Sequence, residues 1–384
     1  MMHRDVTDND GDMVRSAYDG TTVLVTGHTG FKGAWLCEWL LMLGARVVGV
    51  SLPPTTAPAL FQQLGLEERL EHHILDIRDQ SGLAQRVEAS EPDFVFHLAA
   101  QPLVRLSYRE PVATYATNVM GTVHLLDALR STEPLLEAKG RVCATVFVTT
   151  DKCYENREWL HGYREDDALG GYDPYSSSKA AAELAIGAYR QSFLNADGRS
   201  RPPRIGIASA RAGNVIGGGD WAEDRILPDC IRHLERGEPI PVRNPAATRP
   251  WQHVLEPLGG YLLLAALQRD ALVRGDHEAL RATCSAFNFG PGLLANRPVQ
   301  ALVEEVLLHW PGQWSDQSDP AAPHESGRLN LAWDKAHHCL GWQPRWGFAE
   351  TVERTISWYR QVTTSAEQAR MLTMADIGAY VAQD

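Results

Sequence analysis

A buried strand, a glycine-rich loop and a helix follow one another near the start of this 384-residue chain, and this unit constrains the fold more than any other feature. Residues 22–26 form an apolar run of strand type. Gly27, Gly30 and Gly33 come next, at a spacing that lets the backbone turn tightly, approach a pyrophosphate and pack the helix on the strand. A second strand is predicted over 44–50. This order predicts a dinucleotide-binding α/β fold.

Strands and helices continue to alternate, which predicts a doubly wound parallel sheet of Rossmann type with a smaller mixed α/β lobe that binds substrate. We expect a disordered arm over residues 1–20, a dinucleotide-binding domain carrying the catalytic residues over 21–213, and the substrate lobe over 214–384, partly interleaved with the first domain. Residues 329–359 are expected to be helical, and the last 20 or so residues to be loosely held.

Composition limits the partners. The formal net charge of −12 argues against a nucleic acid or an anionic membrane, although a local basic patch could still bind a phosphorylated substrate. No apolar run approaches the roughly 18 residues that span a bilayer and no signal-peptide core is present, so we expect a cytoplasmic protein. The six cysteines lack Cys-x-x-Cys spacing, which is typical of reduced thiols. The histidine pairs at 72–73 and 337–338 are adjacent rather than one helical turn apart, so no metal site is predicted.

Ligand-binding residues are expected where the predicted strands end, because ligands of open parallel sheets bind there. The third strand ends in Asp76, whose carboxylate either meets an adenine edge or caps the next helix. The fourth runs into Ala99 and Ala100, which either leave room for a nucleotide or pack helix against sheet, and Gln101 can reach towards the substrate. Residues 51–54, after the second strand, lack the acidic residue expected for ribose hydroxyls, so the choice between NAD and NADP is open at that position.

A later strand ends in Thr150, Asp151 and Lys152, and a helix begins soon after, near Tyr175. Tyr175 and Lys179 are four residues apart, so they share one face of that helix. We expect the lysine ammonium to favour the phenolate and to lower the pKa of Tyr175 below its reference of about 10. The pair could then take a proton from a sugar or alcohol hydroxyl. A bare Tyr-x-x-x-Lys pattern is common, so this assignment depends on the neighbouring motifs.

Three consecutive glycines at 217–219 follow another predicted strand and indicate a loop shaped around a ligand. Beyond this loop, Arg225, Arg243 and Arg249 are candidates for binding a diphosphate. The alternative for each of them is an ordinary solvated arginine at the surface.

These motifs together resemble the extended short-chain dehydrogenases that act on nucleotide sugars. Three longer segments, 28–35, 150–156 and 211–221, are similar to those of the CDP-glucose 4,6-dehydratases within that family. The resemblance extends from about residue 21 to about residue 365. It implies a tightly held NAD that takes a hydride from C4 of the sugar and returns it to C6, so that CDP-glucose becomes CDP-4-keto-6-deoxyglucose and water. The segment at Ser51 also matches this branch, so the missing ribose carboxylate need not mean NADP.

The resemblance also assigns residues to the site. Tyr175 would take the proton of the 4-hydroxyl, Thr150 would donate to the 4-oxygen, and a protonated Asp151 would donate to the hydroxyl that leaves C6. The expected catalytic residues are Thr150, Asp151, Lys152, Tyr175 and Lys179. The expected NAD-binding residues are Gly27, Thr29, Gly30, Phe31, Lys32, Gly33, Asp76, Ile77, Leu98, Ala99, Ala100, Thr149, Tyr175 and Lys179. The expected nucleotide-sugar-binding residues are Gln101, Asn214, Trp221, Arg225 and Arg249.

Lys152 stands where dehydratases of other nucleotide sugars carry a glutamate that removes the C5 proton, but lysine matches the CDP-glucose branch. It is the base only when neutral, which requires a strongly lowered pKa; otherwise it stabilises the enolate and another group takes the proton. A nucleotide-sugar 4-epimerase or decarboxylase is the alternative on this scaffold, and the Asp151-Lys152 pair counts against it. A catalytically inactive NAD-sensing regulator would not need Tyr175 and Lys179.

Apolar residues at helical spacing over 112–126 form a stripe that belongs either to the core or to a subunit contact. The resemblance implies that this helix and the alanine-rich helix after Tyr175 pair across a two-fold axis in a four-helix bundle, which would make a homodimer.

Overall fold

The computed structural model describes residues 10–193, 203–318, 328–362 and 365–383, and these ranges contain thirteen strands and fifteen α-helices. The strands are β1 (Thr22–Thr26), β2 (Arg46–Ser51), β3 (Glu71–Ile74), β4 (Phe94–His97), β5 (Cys143–Val148), β6 (Ile205–Ala212), β7 (Val215–Ile216), β8 (Ile240–Val242), β9 (Thr248–Pro250), β10 (Gln252–His253), β11 (Ala286–Phe289), β12 (Asn296–Pro298) and β13 (Trp314–Asp316).

The helices are α1 (Asp10–Tyr18), α2 (Phe31–Met42), α3 (Leu60–Gln63), α4 (Gln80–Ser90), α5 (Val104–Arg109), α6 (Pro111–Tyr115), α7 (Gly121–Ala138), α8 (Pro174–Ser192), α9 (Ile226–Arg236), α10 (Leu255–Arg274), α11 (His277–Thr283), α12 (Val299–His309), α13 (Asp334–Leu340), α14 (Phe348–Gln361) and α15 (Ala366–Val381). A π-helical turn over Ala116–Met120 joins α6 to α7, and short 3₁₀ turns lie at Leu66–Glu68, Asp151–Cys153 and Leu293–Ala295.

Seven strands form one parallel sheet in the order β11-β6-β5-β4-β1-β2-β3. The chain winds outward from β1 to β3 and then crosses to β4 on the other side of β1. The switch in winding direction therefore lies between β1 and β4, and ligands of such sheets bind outside the carboxyl ends of the strands at that point. The predicted doubly wound α/β fold is confirmed.

Both faces of the sheet are covered around β1, β4 and β5, which is why these strands are mainly apolar, whereas the edge strand β3 is polar and partly exposed. Along β1, Val23 and Val25 pack into one core cluster, and Leu24 packs into the other. Parallel strands buried on both faces read as continuous apolar runs, and this explains the composition of residues 22–26. None of the described helices combines the length and the apolar character needed to cross a bilayer.

The chain after residue 213 is mixed in structure. It forms three two-stranded sheets, in which β7 pairs with β10, β8 with β13 and β9 with β12. It also supplies β11, the last strand of the central sheet, which pairs with β6. The predicted division into an NAD domain and a partly interleaved substrate lobe stays a prediction.

The predicted disordered arm is wrong for residues 10–20, because α1 packs on the core. The Tyr18 side chain is fully buried, its hydroxyl donates to the Leu262 carbonyl at 2.9 Å, and its ring lies 4.4 Å from that of Phe94. Residues 1–9 lie outside the described part of the chain.

The expectation of loosely held C-terminal residues is also wrong over most of its range. α15 packs against α2 and α14 and buries Ile377 and Tyr380. The Tyr380 hydroxyl donates to the buried Glu256 carboxylate at 3.1 Å, and Arg345 donates to the Tyr380 carbonyl at 2.7 Å. Within 329–359 the helical part is limited to α13 and most of α14.

Candidate active site

The glycine loop between β1 and α2 lies at the switch point of the sheet. Gly27 has a φ of +77°, and its amide donates to the Val50 carbonyl at 2.8 Å. A Cβ built on Gly27 would lie 2.6 Å from the Ala99 nitrogen, and one on Gly33 would lie 2.2 Å from the Gly27 oxygen. Both positions therefore need glycine, because backbone packs on backbone. A Cβ on Gly30 would meet the Gly27 oxygen at an ordinary 3.4 Å, so packing alone does not require glycine there.

Two side chains of this loop are anchored to neighbouring segments. Thr29 Oγ1 donates to the Leu52 carbonyl at 2.9 Å and lies 2.8 Å from the Ser51 hydroxyl. These contacts hold the loop against the end of β2. On the other side, the Phe31 ring packs near Gly217, where a built Cβ would lie 3.3 Å from the ring. The loop at 217–219, which was predicted to be shaped around a ligand, thus contacts the start of α2.

Lys32 brings a cation into the interior. Its Nζ lies 3.5 Å from the hydroxyl of the fully buried Tyr261. The pKa of Lys32 is lowered to about 7, mainly by burial and also by the Arg225 and Lys179 charges, against an opposing effect of Asp151. Lys32, the second residue of α2, is therefore electrostatically coupled to Asp151 and Lys179, two of the catalytic candidates.

The structure of the segment after β3 decides whether Asp76 caps the next helix. The strand ends at Ile74, and the Asp76 carboxylate accepts hydrogen bonds from Arg78, at 2.9 Å from Nε and 2.5 Å from Nη2. Asp79, not Asp76, caps α4 by accepting from the amide in its first turn at 3.0 Å. The capping alternative is wrong, and contact with adenine stays a prediction for Asp76 and the buried Ile77.

Residues 98–100 follow β4 and lie beside the glycine loop. The Leu98 amide donates to the Thr26 carbonyl at 3.0 Å, which continues the pairing of β1 with β4. The Gln101 side chain accepts from the Leu103 amide at 2.5 Å and donates to the Leu103 carbonyl at 3.1 Å and to Thr114 Oγ1 at 3.0 Å. Its amide is directed into its own loop, so contact with a substrate would require these bonds to break.

The turn after β5 holds the candidate acid. Thr150 Oγ1 donates to Asp151 Oδ1 at 3.0 Å, and Asp151 is 2% exposed. A Cβ built on Gly213 would lie 2.8 Å from Asp151 Oδ2, so that glycine lets the loop approach the carboxyl group. Burial raises the pKa of Asp151; the charges of Lys152 and Arg249 and the Thr150 hydrogen bond oppose the rise without cancelling it. The direction favours a protonated acid, as the sequence suggested.

Tyr175 and Lys179 lie on the first turns of α8, and both are buried. Burial raises the pKa of Tyr175 to about 12, against the opposing effects of the Thr150 hydrogen bond and the Arg225 charge. Lys179 Nζ donates to the Val148 carbonyl at 3.4 Å, and burial lowers its own pKa to about 8. The predicted lowering of the Tyr175 pKa is therefore wrong for this structure, because desolvation outweighs the neighbouring cations.

The second lobe contributes the loop after β6. Asn214 lies between β6 and β7, and the Trp221 indole donates to Gln63 Oε1 at 2.9 Å. The glycines at 217–219 are closely packed against other parts of the chain. A Cβ built on Gly218, for example, would lie 2.1 Å from the Trp358 ring. Packing against α14 is thus one reason for the glycine run that the sequence suggested was shaped by a ligand.

The three arginine candidates differ in their surroundings. Arg225 pairs with Asp220 at 2.8 Å and acts on Tyr175 electrostatically. Arg249 acts on Asp151 electrostatically, as described above. Arg243 pairs with Asp224 at 2.9 Å at the surface, which fits the solvated alternative. Of these three arginines, Arg225 is thus coupled electrostatically to Tyr175 and Arg249 to Asp151.

Two buried polar groups near these residues were not assigned from the sequence. The Asn118 side chain donates to Ser178 Oγ at 2.8 Å and accepts from the backbone amide of Gln101 at 2.8 Å. These two bonds connect the segment after β4 to α8. Glu183 forms a buried ion pair with Arg211 at 2.8 Å. In the sequence, its position four residues after Lys179 was the feature that could have indicated a link to the site.

The comparisons with known proteins decide the family. The chain matches the model of the GDP-mannose 4,6 dehydratase family over residues 24–355. The chain belongs to this family. It is 46% identical over 347 residues to the CDP-glucose 4,6-dehydratase of Salmonella typhimurium, which covers 90% of this chain and 92% of that protein. The resemblance to nucleotide-sugar dehydratases is confirmed.

Solved structures of the same fold include more than one reaction. The UDP-glucose 4-epimerase of Thermus thermophilus, in complex with NAD, has a TM-score of 0.71 and 24% identity, covering 89% of this chain and 100% of that chain. DesIV, a dTDP-glucose 4,6-dehydratase from Streptomyces venezuelae with NAD bound, has a TM-score of 0.70 and 24% identity, covering 88% and 97%. The fold therefore does not distinguish epimerisation from dehydration, and the site residues must. Among the described residues, no group of three His, Cys, Asp or Glu is placed to hold a metal ion.

Proposed function

We propose that this protein is an NAD-dependent CDP-glucose 4,6-dehydratase, a hydro-lyase that forms CDP-4-keto-6-deoxyglucose and water. The observation that carries the proposal is the buried Asp151 beside Thr150, with its raised pKa. An epimerase needs the tyrosine, the lysine and a hydroxyl, whereas a dehydratase also needs a proton donor for the hydroxyl that leaves C6. The 46% identity to the Salmonella enzyme supports CDP-glucose as the substrate.

The residues at the switch point fit NAD. Gly27 and Gly33 allow the tight turn before α2, whose N-terminus favours a diphosphate. Lys32 adds a cation that has a hydroxyl, rather than a carboxylate, as its hydrogen-bond partner. When bound, NAD accepts the hydride from C4 of the sugar and later returns it to C6. We assign its binding to the glycine loop, Thr29, Phe31 and Lys32 together with the predicted residues after β3, β4 and β5.

Proton abstraction from the sugar 4-hydroxyl is assigned to Tyr175 Oη. Tyr175 can take this proton only as the phenolate, and burial opposes that ionisation by raising its pKa to about 12. The Thr150 hydrogen bond and the Arg225 charge favour the phenolate. Lys179 lies four residues further along α8, and we assign the same effect to its ammonium. Thr150 also supports the charge that develops on the 4-oxygen as the proton moves to Tyr175.

Elimination of water is assigned to the next two residues of the turn. The C4 ketone acidifies the C5 hydrogen, and we assign removal of that proton to Lys152, which can accept it only when its amine is neutral. Asp151 donates its proton to the departing C6 hydroxyl, so water is lost and a C5–C6 double bond forms. After hydride return to C6, the proton held by Lys152 restores C5. Tyr175 releases the proton it took and Asp151 regains one from solvent, so the net change is loss of one water.

The nucleotide part of the substrate is assigned to the second lobe. Arg225 and Arg249 supply cations for the diphosphate, and Asn214 and Trp221 line the loop after β6. Gln101 keeps its predicted role only if its bonds to Leu103 open on binding.

We further propose a cytoplasmic homodimer. All six cysteines are free thiols, which is usual in the cytoplasm. α6 and α8 pack side by side and leave Val112 82% exposed and Leu184 64% exposed. A two-fold copy would bury these side chains in a four-helix bundle.

Incubation of the purified protein and NAD with CDP-, dTDP-, GDP- and UDP-glucose tests the proposal. We expect a 4-keto-6-deoxy product, identified by mass spectrometry, from CDP-glucose at a rate well above those of the other three. A product of unchanged mass with inverted C4 would indicate an epimerase instead. Turnover of another nucleotide sugar to a 4-keto-6-deoxy product would keep the reaction and correct the base.

A further inference from the structure

Glu183 carries a buried carboxylate on α8, one turn after Lys179. It accepts hydrogen bonds from Thr149 Oγ1 at 2.5 Å, Ser209 Oγ at 2.8 Å and Arg211 Nη2 at 2.8 Å. Glu183 is 5% exposed and Arg211 is 3% exposed. One carboxylate therefore joins the catalytic helix to the end of β5 and to β6.

Arg211 extends this network past the catalytic turn. Its Nη1 donates to the Tyr154 hydroxyl at 2.7 Å and to the Glu165 carbonyl at 2.9 Å, and its guanidinium stacks 5.0 Å from the Tyr154 ring. The Tyr154 hydroxyl in turn donates to Asn288 Oδ1 at 2.7 Å. The segment that follows the catalytic turn is thus held against β6 and β11 by the same ion pair.

The roles assigned above leave this network unused. We propose that Glu183 is a positioning residue for proton abstraction by Tyr175 and acts through Lys179. Its carboxylate keeps the Lys179 ammonium charged and fixes the Thr149 hydroxyl, next in the chain to Thr150. This inference rests on the proposed function, because the step that it supports is the oxidation at C4.

The electrostatics give the physical reason. Burial lowers the pKa of Lys179 to about 8, and the Glu183 charge is the main opposing effect. Burial also works against ionisation of Glu183, but Arg211 and the hydroxyl donors hold its pKa below the ordinary value. The Cys153 thiol stays neutral, because burial raises its pKa well above the usual range. The titratable and charged groups facing Lys179 or Glu183 are Lys32 on α2, His97 on β4, Cys153 after β5, Arg190 on α8 and Arg211 on β6.

Glu183→Gln removes the charge with little change of shape. The first measurement is the single-turnover rate of C4 oxidation as a function of pH, in enzyme with NAD and CDP-glucose. We expect the alkaline limb to move down by about one pH unit, because Lys179 then loses its proton at lower pH. The second measurement is carbamylation by cyanate, which reacts with neutral amines and needs no turnover. Peptide mass spectrometry should show faster labelling of Lys179 in the variant at a given pH.

Two further variants separate this role from a structural one. Glu165→Gln is the matched control: it removes a half-buried carboxylate that accepts from the Asn288 amide at 2.8 Å on the other side of Arg211. It should leave the alkaline limb and the labelling unchanged. Glu183→Asp keeps the negative charge on a side chain that is one methylene shorter. The alkaline limb of its pH–rate profile should therefore lie between those of wild type and Glu183→Gln.

Folding of each variant is checked by circular dichroism. A folded Glu183→Gln with the pH profile and cyanate labelling of wild type overturns the proposal. If Glu183→Gln does not fold, a Glu183→Asp profile identical to wild type overturns it instead. Failure of the proposed function is distinguishable, because wild type would then turn over no nucleotide sugar while cyanate labelling would still report the Lys179 charge.

Discussion

Burial acts on the titratable side chains of this site in different directions. It raises the pKa of Asp151, which favours the protonated acid, and it raises that of Tyr175 to about 12, which disfavours the phenolate. It lowers that of Lys179 to about 8, so the ammonium is still mainly charged at neutral pH. In the proposed mechanism, ionisation of Tyr175 would therefore depend on the Arg225 charge and the Thr150 hydrogen bond rather than on the intrinsic acidity of the phenol.

Tyr175→Phe should abolish the first half of the reaction. The variant keeps the ring but lacks the oxygen that accepts the 4-hydroxyl proton, so NADH should not form on mixing with CDP-glucose. General bases contribute about 10²–10⁴-fold, and we expect a loss of that size in the absorbance of NADH. Tyr172→Phe is the control, since that side chain is 83% exposed and should be dispensable. NADH formation at the wild-type rate in Tyr175→Phe would falsify the assignment.

Asp151→Asn and Lys152→Met should both stall after oxidation. Asparagine cannot donate the same proton to the leaving hydroxyl, and methionine cannot accept the C5 proton. Bound NADH should accumulate while dehydrated product falls by about 10²–10⁴-fold. The two are separated by exchange of the C5 hydrogen with deuterated solvent, which Lys152→Met should lose and Asp151→Asn should retain. Normal turnover with normal exchange in Lys152→Met would mean that another group is the base.

At the scale of single elements, the glycines between β1 and α2 have different reasons to be glycine. Gly33→Ala puts a Cβ 2.2 Å from a carbonyl oxygen, so the backbone must move. Gly30→Ala has room within the protein, at 3.4 Å, but adds a methyl group where the diphosphate is expected. We expect Gly30→Ala to weaken NAD binding at least about tenfold while changing the free energy of unfolding by less than about 1 kcal/mol.

Gly33→Ala should instead lower the free energy of unfolding by about 1–3 kcal/mol, because overpacking strains the loop even without cofactor. Calorimetric titration with NAD and urea unfolding of the cofactor-free protein measure the two effects. Equal destabilisation by both substitutions would contradict this division of roles.

At the scale of the whole molecule, the ionisation of Glu256, which holds the C-terminal segment, makes the free energy of unfolding depend on pH. Burial raises its pKa to about 7, although the amides of Trp346 and Arg345 and the Tyr380 hydroxyl donate to it. Its ordinary value is 4.5, so as pH rises from there to about 7 the unfolded chain releases this proton first. The contribution of this group to stability is complete below the unfolded pKa and is lost as pH rises through the folded one.

Glu256→Gln should remove that pH dependence. A pKa difference of 2 to 3 units corresponds to a loss on the order of 3 kcal/mol, which the neutral amide avoids. Relative to wild type, the variant should therefore gain stability between pH 5 and pH 8 in urea unfolding. Glu353→Gln, at an exposed position of α14, is the control and should follow the wild-type slope. Parallel curves for wild type and Glu256→Gln would contradict the raised pKa.

The dimer is tested by charge on its proposed surface. Leu184→Glu puts a carboxylate on the exposed face of α8, where a bundle would bury it unpaired. We expect a monomer by light scattering at micromolar concentration, and a dimer for wild type. Leu308→Glu, at an equally exposed leucine on α12, should remain a dimer. A monomeric wild type would rule out the bundle.

The sequence by itself determined the parts that depend on neighbours in the chain. The apolar run at 22–26, the three glycines and the helix after them specify a nucleotide-binding unit, because turn chemistry and periodicity act over a few residues. The four-residue spacing of Tyr175 and Lys179 predicted a shared helix, and α8 contains both. The segments at 28–35, 150–156 and 211–221 were sufficient to indicate the family.

Tertiary structure decided what depends on burial and on distant partners. Tyr18 holds α1 through a carbonyl 244 residues away, so the polar composition of the first residues misled. The pKa of Tyr175 is set by desolvation, which the sequence does not contain. Glu183 and Arg211 meet across 28 residues as a pair of buried charges. Such effects arise only when strands and helices pack, because dielectric environment and counter-charges are properties of three-dimensional contacts and not of local pattern.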